Sequence, residues 1–333
     1  NNMKKILFLT TGGTIASSES EEGLVPALTS EELIGYLGHH QQYAKIYCED
    51  LLRLDSSNMQ PEEWLLIAKR IYEVVPEYDG IVLTHGTDTM AYTASALSFM
   101  LENLPIPVIV TGSQLPLQHP LSDGVDNIRC AFHAAMQDAL TGVYVCFNRQ
   151  LILGTRAVKV RTMHLNAFES VNVPPVGLVS ARGMTLQQPL LIHPRGKFRL
   201  NETLCEQVFL LKLTPGINPD IFDMLLQMNY KGVVIEAFGA GGMHFKRRDL
   251  IQKLEMMVEK GISVVACSQC LYENSDFSIY QTGQKVLQKG VIQGLDMTSE
   301  AALTKLMWAL GKSQDPKVVK ALFETNLVNE ITL

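Results

Sequence analysis

Short apolar runs alternate along this chain with longer stretches in which apolar residues return every three or four positions. The runs "ILFL" (6–9), "GIVLT" (80–84) and "PVIV" (107–110) carry bulky or β-branched residues at nearly every place, as strands covered on both faces do. Between them "PEEWLLIAKRIYEVV" (61–75) and "MAYTASALSFMLENL" (90–104) follow helical spacing. This β-α-β rhythm predicts a parallel sheet with helices on both faces. Within the second helix Met90, Ala94, Leu97 and Leu101 share one face, and Thr87 and Asp88 stand where N-caps stand. A strand is therefore expected to end at Thr84, with a helix starting soon after.

The rhythm breaks at "QQPLLIHPRGKFRLNETLCE" (187–206), which has two prolines, mixed charge and no period, as a connector would. Alternation resumes with "VFLLKLTPGI" (208–217), "KGVVIEAFGAGG" (231–242), a helical stretch near 248–260 and "ISVVACSQC" (262–270). With 333 residues, two α/β domains are expected, residues 3–190 and 207–333, the second the smaller.

Polar turns follow three of the strands: "TTGGTI" (10–15), "THGTDT" (84–89) and "TGSQ" (111–114). In open parallel sheets reactive groups collect beyond the carboxyl ends of the strands. Glycines there let the backbone turn tightly and present N–H groups to an anion or a developing oxyanion. Nucleotide-binding folds also use such turns, yet neither G-x-G-x-x-G nor G-x-x-x-x-G-K-[ST] occurs here. A single turn of this kind would read as a helix cap; repetition at successive strand ends points to a site.

The chain is 47% hydrophobic and 19% charged, with a formal net charge of -6, so no basic excess marks it for nucleic acid. No apolar run approaches the roughly 18 residues of a membrane span. Met3 reads as the initiator, with Asn1 and Asn2 as a prefix outside the fold, and "ILFL" is too short for a secretion signal. Of six cysteines only Cys267 and Cys270 are close, with no second pair at zinc-finger spacing. They read as reduced thiols of a cytoplasmic protein, and no metal is expected. His39, His40, His133, His164 and His244 show no ligand spacing, and His85 reads as a structural hydrogen-bonding residue.

Two of these segments, "TGGTIAS" (11–17) and "THGTDTMAYTASALSFML" (84–101), resemble the paired signatures of L-asparaginases. "DSSNM" (55–59), "PVIVTGSQLPL" (107–117) and "GVIQGLDMTSEAALTKL" (290–306) are similar to the same family, closest to its cytoplasmic type I branch. The resemblance implies a larger N-terminal α/β domain with a flavodoxin- or Rossmann-like parallel sheet, and a smaller C-terminal α/β domain. It implies hydrolysis of L-asparagine to L-aspartate and ammonia without a cofactor, by a homodimer or homotetramer with sites near the subunit contact.

Thr14 is then the nucleophile, and Lys159 in "GTRAVKV" matches the family's catalytic lysine. A threonine hydroxyl needs a base to become nucleophilic, and an acyl-enzyme ester divides amide hydrolysis into two easier steps. A lysine serves as base only when neutral; burial favours that form and a neighbouring carboxylate opposes it. Thr87, Asp88 and Lys159 are therefore read as one coupled proton-handling unit. The resemblance assigns Asp55, Ser56 and Ser57 to the substrate α-carboxylate, Asp88 to its ammonium and the Ser113 carbonyl to the leaving amide. The acidic segment "SSESEEGLVPAL" (17–28) is expected to close as a lid. Where many relatives have a tyrosine in it, this chain has Leu24, so Tyr280 in "SIYQTG" is expected to supply the phenol that orients Thr14. Two other readings stay open: a non-catalytic amino-acid sensor, and the ammonia-producing subunit of a tRNA amidotransferase. The few residues before the first strand are expected to disfavour the latter.

Overall fold

Lys5–Gly12 is the first strand, and every residue after Lys5 is buried in it, since the "ILFLTT" run has apolar or short side chains for both faces of the sheet. The computed structural model describes residues 3–20, 23–26 and 29–332, with the side chains of 18–28 outside the description. The chain divides into two units, residues up to Glu202 and residues from Thr203 on.

In the first unit an eight-stranded sheet has five parallel strands side by side, in the order 45–54, 5–12, 80–84, 107–111 and 142–147. Numbered along the chain this is 2-1-3-4-5, the flavodoxin-like order, and the winding reverses between the first strand and the third. Beyond 142–147 the sheet turns antiparallel through 150–153, 177–180 and 183–186, a departure from the parallel sheet expected. Asn148 and Arg149 cause it: both have positive φ, 49° and 61°, so the chain reverses in two residues, too few for a crossover.

Helix Pro61–Val74 starts with a capping box between Gln60 and Glu63 and buries Trp64, Ile67 and Ile71. Helix Met90–Met100 is buried on nearly every side rather than along one face, because it packs against both the neighbouring helix and the sheet. Its N-cap is Thr89 and its C-cap Leu101, so Thr87 and Asp88 are not its caps and Leu101 lies just past its end. Helix Gly124–Ala135 covers the strands 80–84 and 107–111.

The second unit has a four-stranded parallel sheet, 208–212, 232–237, 263–268 and 292–293 in chain order. Helices 250–259 and 299–312 lie against it. Its core gathers Phe222, Val233, Ile235, Leu254, Val264 and Phe277. Among the described residues no helix is long and apolar enough to cross a membrane.

Candidate active site

The three threonines of "TTGGT" do three different things. Thr10 donates to the Asp50 carboxylate at 2.6 Å, tying the first strand to its neighbour. Thr11 donates to the Thr84 carbonyl at 2.7 Å, tying it to the strand on the other side. Thr14 alone stands free of the ladder, opening a 3₁₀ turn after Gly13 and facing a cavity. Gly12 and Gly13 have φ of 95° and 84°, so the chain leaves the strand in a conformation side chains disfavour.

Glycine is needed for a second reason. A Cβ on Gly13 would lie 2.5 Å from the Gly86 nitrogen, and one on Gly86 would lie 2.6 Å from Ser56 Oγ. Three loops, 12–14, 85–88 and 55–58, therefore meet with no room for a methyl group between them. They meet at the carboxyl ends of the first and third strands, the reversal point of the sheet, where such folds bind ligands.

The cavity there is about 240 Å³ and is lined by Gly13, Thr14, Ser17, Asp55, Ser56, Gly86, Thr87, Asp88, Gln114, Lys159 and Thr162. Lys159 ends a short strand, 157–159, paired with 168–170. Its Nζ donates to Thr87 Oγ1 and to Asp88 Oδ1, each at 2.8 Å. Thr87 Oγ1 lies 3.4 Å from Gln114 Oε1. The Lys159 side chain is mostly buried and that of Asp88 mostly exposed, at 19% and 62%, so solvent screens the ion pair on one side only. Hydroxyl, ammonium and carboxylate thus form one connected unit, and Thr14 lines the same cavity. Such an arrangement can take a proton from a nucleophile and return it to a leaving group.

Beneath this wall His85 is fully buried. Its Nδ1 lies 2.6 Å from the Gly86 carbonyl and its Nε2 2.8 Å from Thr93 Oγ1, which also accepts the Trp64 indole N–H at 3.0 Å. A carbonyl only accepts, so Nδ1 carries the hydrogen and Nε2 accepts from Thr93. Burial pushes the imidazole down to about 4, so the ring stays neutral at pH 7. His85 holds the Gly86 carbonyl and takes no part in acid–base work there.

Of the residues singled out in the sequence, Thr14, Asp55, Ser56, Thr87, Asp88 and Lys159 line the one cavity. Asp55 accepts from the Ser57 N–H at 3.0 Å and caps the 56–58 turn. Ser57 is exposed and is not on the cavity wall. Ser113 is buried, with its hydroxyl donated to the Leu115 carbonyl. Tyr280 belongs to the second unit, where it is the exposed N-cap of helix 281–288. For the segment 17–28, Ser17–Ser20 pairs with Gly23–Pro26. Glu21, Glu22, Ala27 and Leu28, and the Leu24 side chain, lie outside the described residues. Gln114 and Thr162 are cavity residues that sequence reasoning missed, although Gln114 stands in the "TGSQ" turn.

Among the described residues no three His, Cys, Asp or Glu side chains group as metal ligands. His40 and His133 share a hydrogen bond at 3.0 Å. Cys267 is buried and Cys270 exposed, both as free thiols.

Comparison with known proteins adds an independent line. The family model "Asparaginase, N-terminal" matches residues 5–191, and "Glutaminase/Asparaginase C-terminal domain" matches 207–323. The L-asparaginase of Thermococcus kodakarensis is 42% identical over 98% of this chain and 99% of its own length. The solved structure of the thermostable L-asparaginase from that organism superimposes with a TM-score of 0.93 at 41% identity, covering 98% of this chain and 99% of that one. L-asparaginase I from Vibrio cholerae superimposes at 0.88, with 35% identity over 99% of this chain and 100% of its own. A glutamyl-tRNA(Gln) amidotransferase subunit of Metallosphaera sedula is 38% identical over 98% of this chain, which spans 76% of that protein. With both domain models matched along most of its length and full-length relatives at this identity, the chain belongs to the asparaginase family.

Proposed function

We propose that this protein is a cytoplasmic hydrolase that converts L-asparagine to L-aspartate and ammonia without a metal or organic cofactor. The observation that carries the reading is Lys159 Nζ bound to both Thr87 and Asp88 in the cavity that Thr14 also lines. Thr14 Oγ attacks the side-chain amide carbon, and its proton passes to the Thr87–Asp88–Lys159 unit. The unit returns a proton to the nitrogen as ammonia leaves, giving an aspartyl ester on Thr14. Water then attacks the ester, again losing a proton to the unit, and frees aspartate and the Thr14 hydroxyl.

The Asp55–Ser57 turn frames the α-carboxylate, with Ser56 on the cavity wall, Ser57 at its exposed side and Asp55 holding the turn through the Ser57 N–H, while the exposed face of Asp88 meets the α-ammonium. The Ser113 carbonyl takes the leaving amide, and Tyr280 polarises Thr14. Residues 3–190 form the catalytic domain and 207–333 the C-terminal domain. The working form is a homodimer or homotetramer with the sites beside the contact. Met163 and Leu165 support this, being 85% and 38% exposed next to Thr162 of the cavity. The test is ammonia release by the isolated chain. Release from asparagine, and more slowly from glutamine, is expected; one methylene discriminates by only about 1–3 kcal/mol. Release from glutamine alone, or only with an added tRNA-processing partner, would instead mark an amidotransferase subunit. Binding of aspartate without any release would mark a sensor.

A further inference from the structure

Gln114 is a cavity residue that neither the signature segments nor the proton-handling unit accounts for, and its side chain joins two parts of the site. Its Nε2 reaches the carbonyls of Arg161, Thr162 and His164, at 3.5, 3.3 and 3.1 Å. Its Oε1 lies 3.4 Å from Thr87 Oγ1. The three carbonyls can only accept, so the amide orientation is settled by its partners: NH₂ toward the 161–164 segment, oxygen toward Thr87. Thr87 Oγ1 already accepts from the Lys159 ammonium, so its own hydrogen is available to Gln114 Oε1. The 161–164 segment belongs to the tip of the hairpin whose strand carries Lys159, closed by the Val160 N–H on the Ala167 carbonyl. That tip is exposed, and Gln114 ties it to the loop that follows the strand 107–111. The Gln114 backbone is itself fixed, since Asp123 accepts its N–H and that of Leu115 at 3.0–3.1 Å.

We infer that Gln114 is a positioning residue: it directs the Thr87 hydroxyl and staples the hairpin tip, so that Thr87, Asp88 and Lys159 keep one geometry through both half-reactions. The inference rests on the proposed hydrolysis for its kinetic part and on the geometry alone for the staple. Acting on the chemistry and not on capture, it affects kcat more than KM, because misplacement of a proton-handling group by about 1 Å can cost on the order of 10²-fold in rate.

The test uses the full chain with Gln114→Met, which removes both hydrogen-bonding ends, and Gln114→Glu, which keeps the shape but turns a donor into a carboxylate. Charged or titratable groups around the position are Lys159, Asp88 and Asp55 of the cavity, Arg161 and His164 of the hairpin tip and Asp123 behind it. A further carboxylate favours the charged ammonium. In Gln114→Glu the acid limb of the kcat profile is therefore expected to move up by about one pH unit or more. In Gln114→Met kcat is expected to fall on the order of 10²-fold, with KM within about threefold and the limb unmoved. Hydrogen exchange read by mass spectrometry should rise in peptides covering 160–166 in both variants, whether or not the protein turns asparagine over. Wild-type kcat in Gln114→Met, or an unmoved limb in Gln114→Glu, would overturn the directing role. Unchanged exchange at 160–166 would overturn the staple. Should Gln114→Met lose the fold, Gln114→Asn, whose amide is one methylene too short to bridge, decides by the same readouts. A wild-type protein that releases no ammonia would defeat the proposed hydrolysis and leave the exchange result to judge the staple.

Discussion

Both units are α/β folds built on parallel strands with polar loops at their carboxyl ends, and in the first, among the described residues, those loops frame a candidate site. In the first, glycines at 13 and 86 let three loops touch, and Thr14 faces a cavity without a side-chain partner among the described residues. In the second, the loop groups bond one another. Gln269 Nε2 donates to the Leu213 and Glu236 carbonyls, and Ser268 to the Gly239 carbonyl. A Cβ on Gly294 would collide with the sulfur of buried Cys267. Glu300 is half-buried, and loss of solvent around its carboxyl pushes it up to about 7, with Glu236 adding to the rise. A doubly wound sheet with polar loops is thus not a site by itself. Polar groups left without internal partners, facing a cavity, make the difference.

The strongest way to break this comparison is at Thr14, the nucleophile proposed for the first unit. Thr14→Ala should lower kcat by more than about 10⁴-fold, and Thr87→Ala and Lys159→Met should each come close to it, because members of one catalytic unit do not add. Aspartate should still bind Lys159→Met by calorimetry. Near-normal turnover in Thr14→Ala would leave the two sheet ends chemically alike.

Next is the contact between loops. Gly13→Ala places a methyl against the Gly86 backbone at a φ of 84°, so a loss of about 1–3 kcal/mol is expected by denaturant unfolding. Gly216 in the second unit also has positive φ, at 99°, but open space around it. Gly216→Ala should show the backbone cost without the steric one, and hence the smaller loss.

The units should also answer pH in opposite directions. His85 is held below its unfolded 6.5, at about 4. Between these values the unfolded chain binds more protons, and stability is lost as pH falls through the window. Glu300 is held above its unfolded 4.5, at about 7. There the folded chain binds more protons, and stability is lost as pH rises. Each effect is on the order of 3 kcal/mol when complete. Unit-resolved hydrogen exchange from pH 4 to 8 should therefore show the first unit weakening in acid and the second weakening in base. Glu300→Gln should raise the melting temperature above pH 7 and flatten the second unit's slope.

The smallest effect concerns the thiols of the second unit. Chelation by EDTA should leave turnover unchanged, since Cys267 and Cys270 have no further ligands near them among the described residues. Loss of activity would put a metal where none is expected.

What the sequence made legible follows the range of the forces involved. The strands 5–12, 80–84 and 107–111 announce themselves because a strand buried on both faces must be apolar throughout, a property of the segment alone. The antiparallel edge hangs on positive φ at Asn148 and Arg149, two residues without the glycine that usually marks such a turn. Thr87 and Asp88 look like caps locally, and only Lys159, 72 and 71 positions away, shows what else they bond. Gln114 is the extreme case: its carbonyl partners lie 47 to 50 positions on, and a glutamine in a loop carries no pattern that points to them. The purpose of Gly13 and Gly86 was half visible, as freedom to turn, while their mutual contact is a product of the sheet order.

Covalent chemistry at Thr14 is the central claim, and acid-quenched reaction of asparagine followed by peptide mass spectrometry tests it most directly. In Lys159→Met, where turnover is slowed, an aspartyl ester is expected on the peptide containing Thr14, absent when Thr14→Ala is added. An ester on Thr87 instead, or undiminished ammonia release by the Thr14→Ala protein, would contradict the claim.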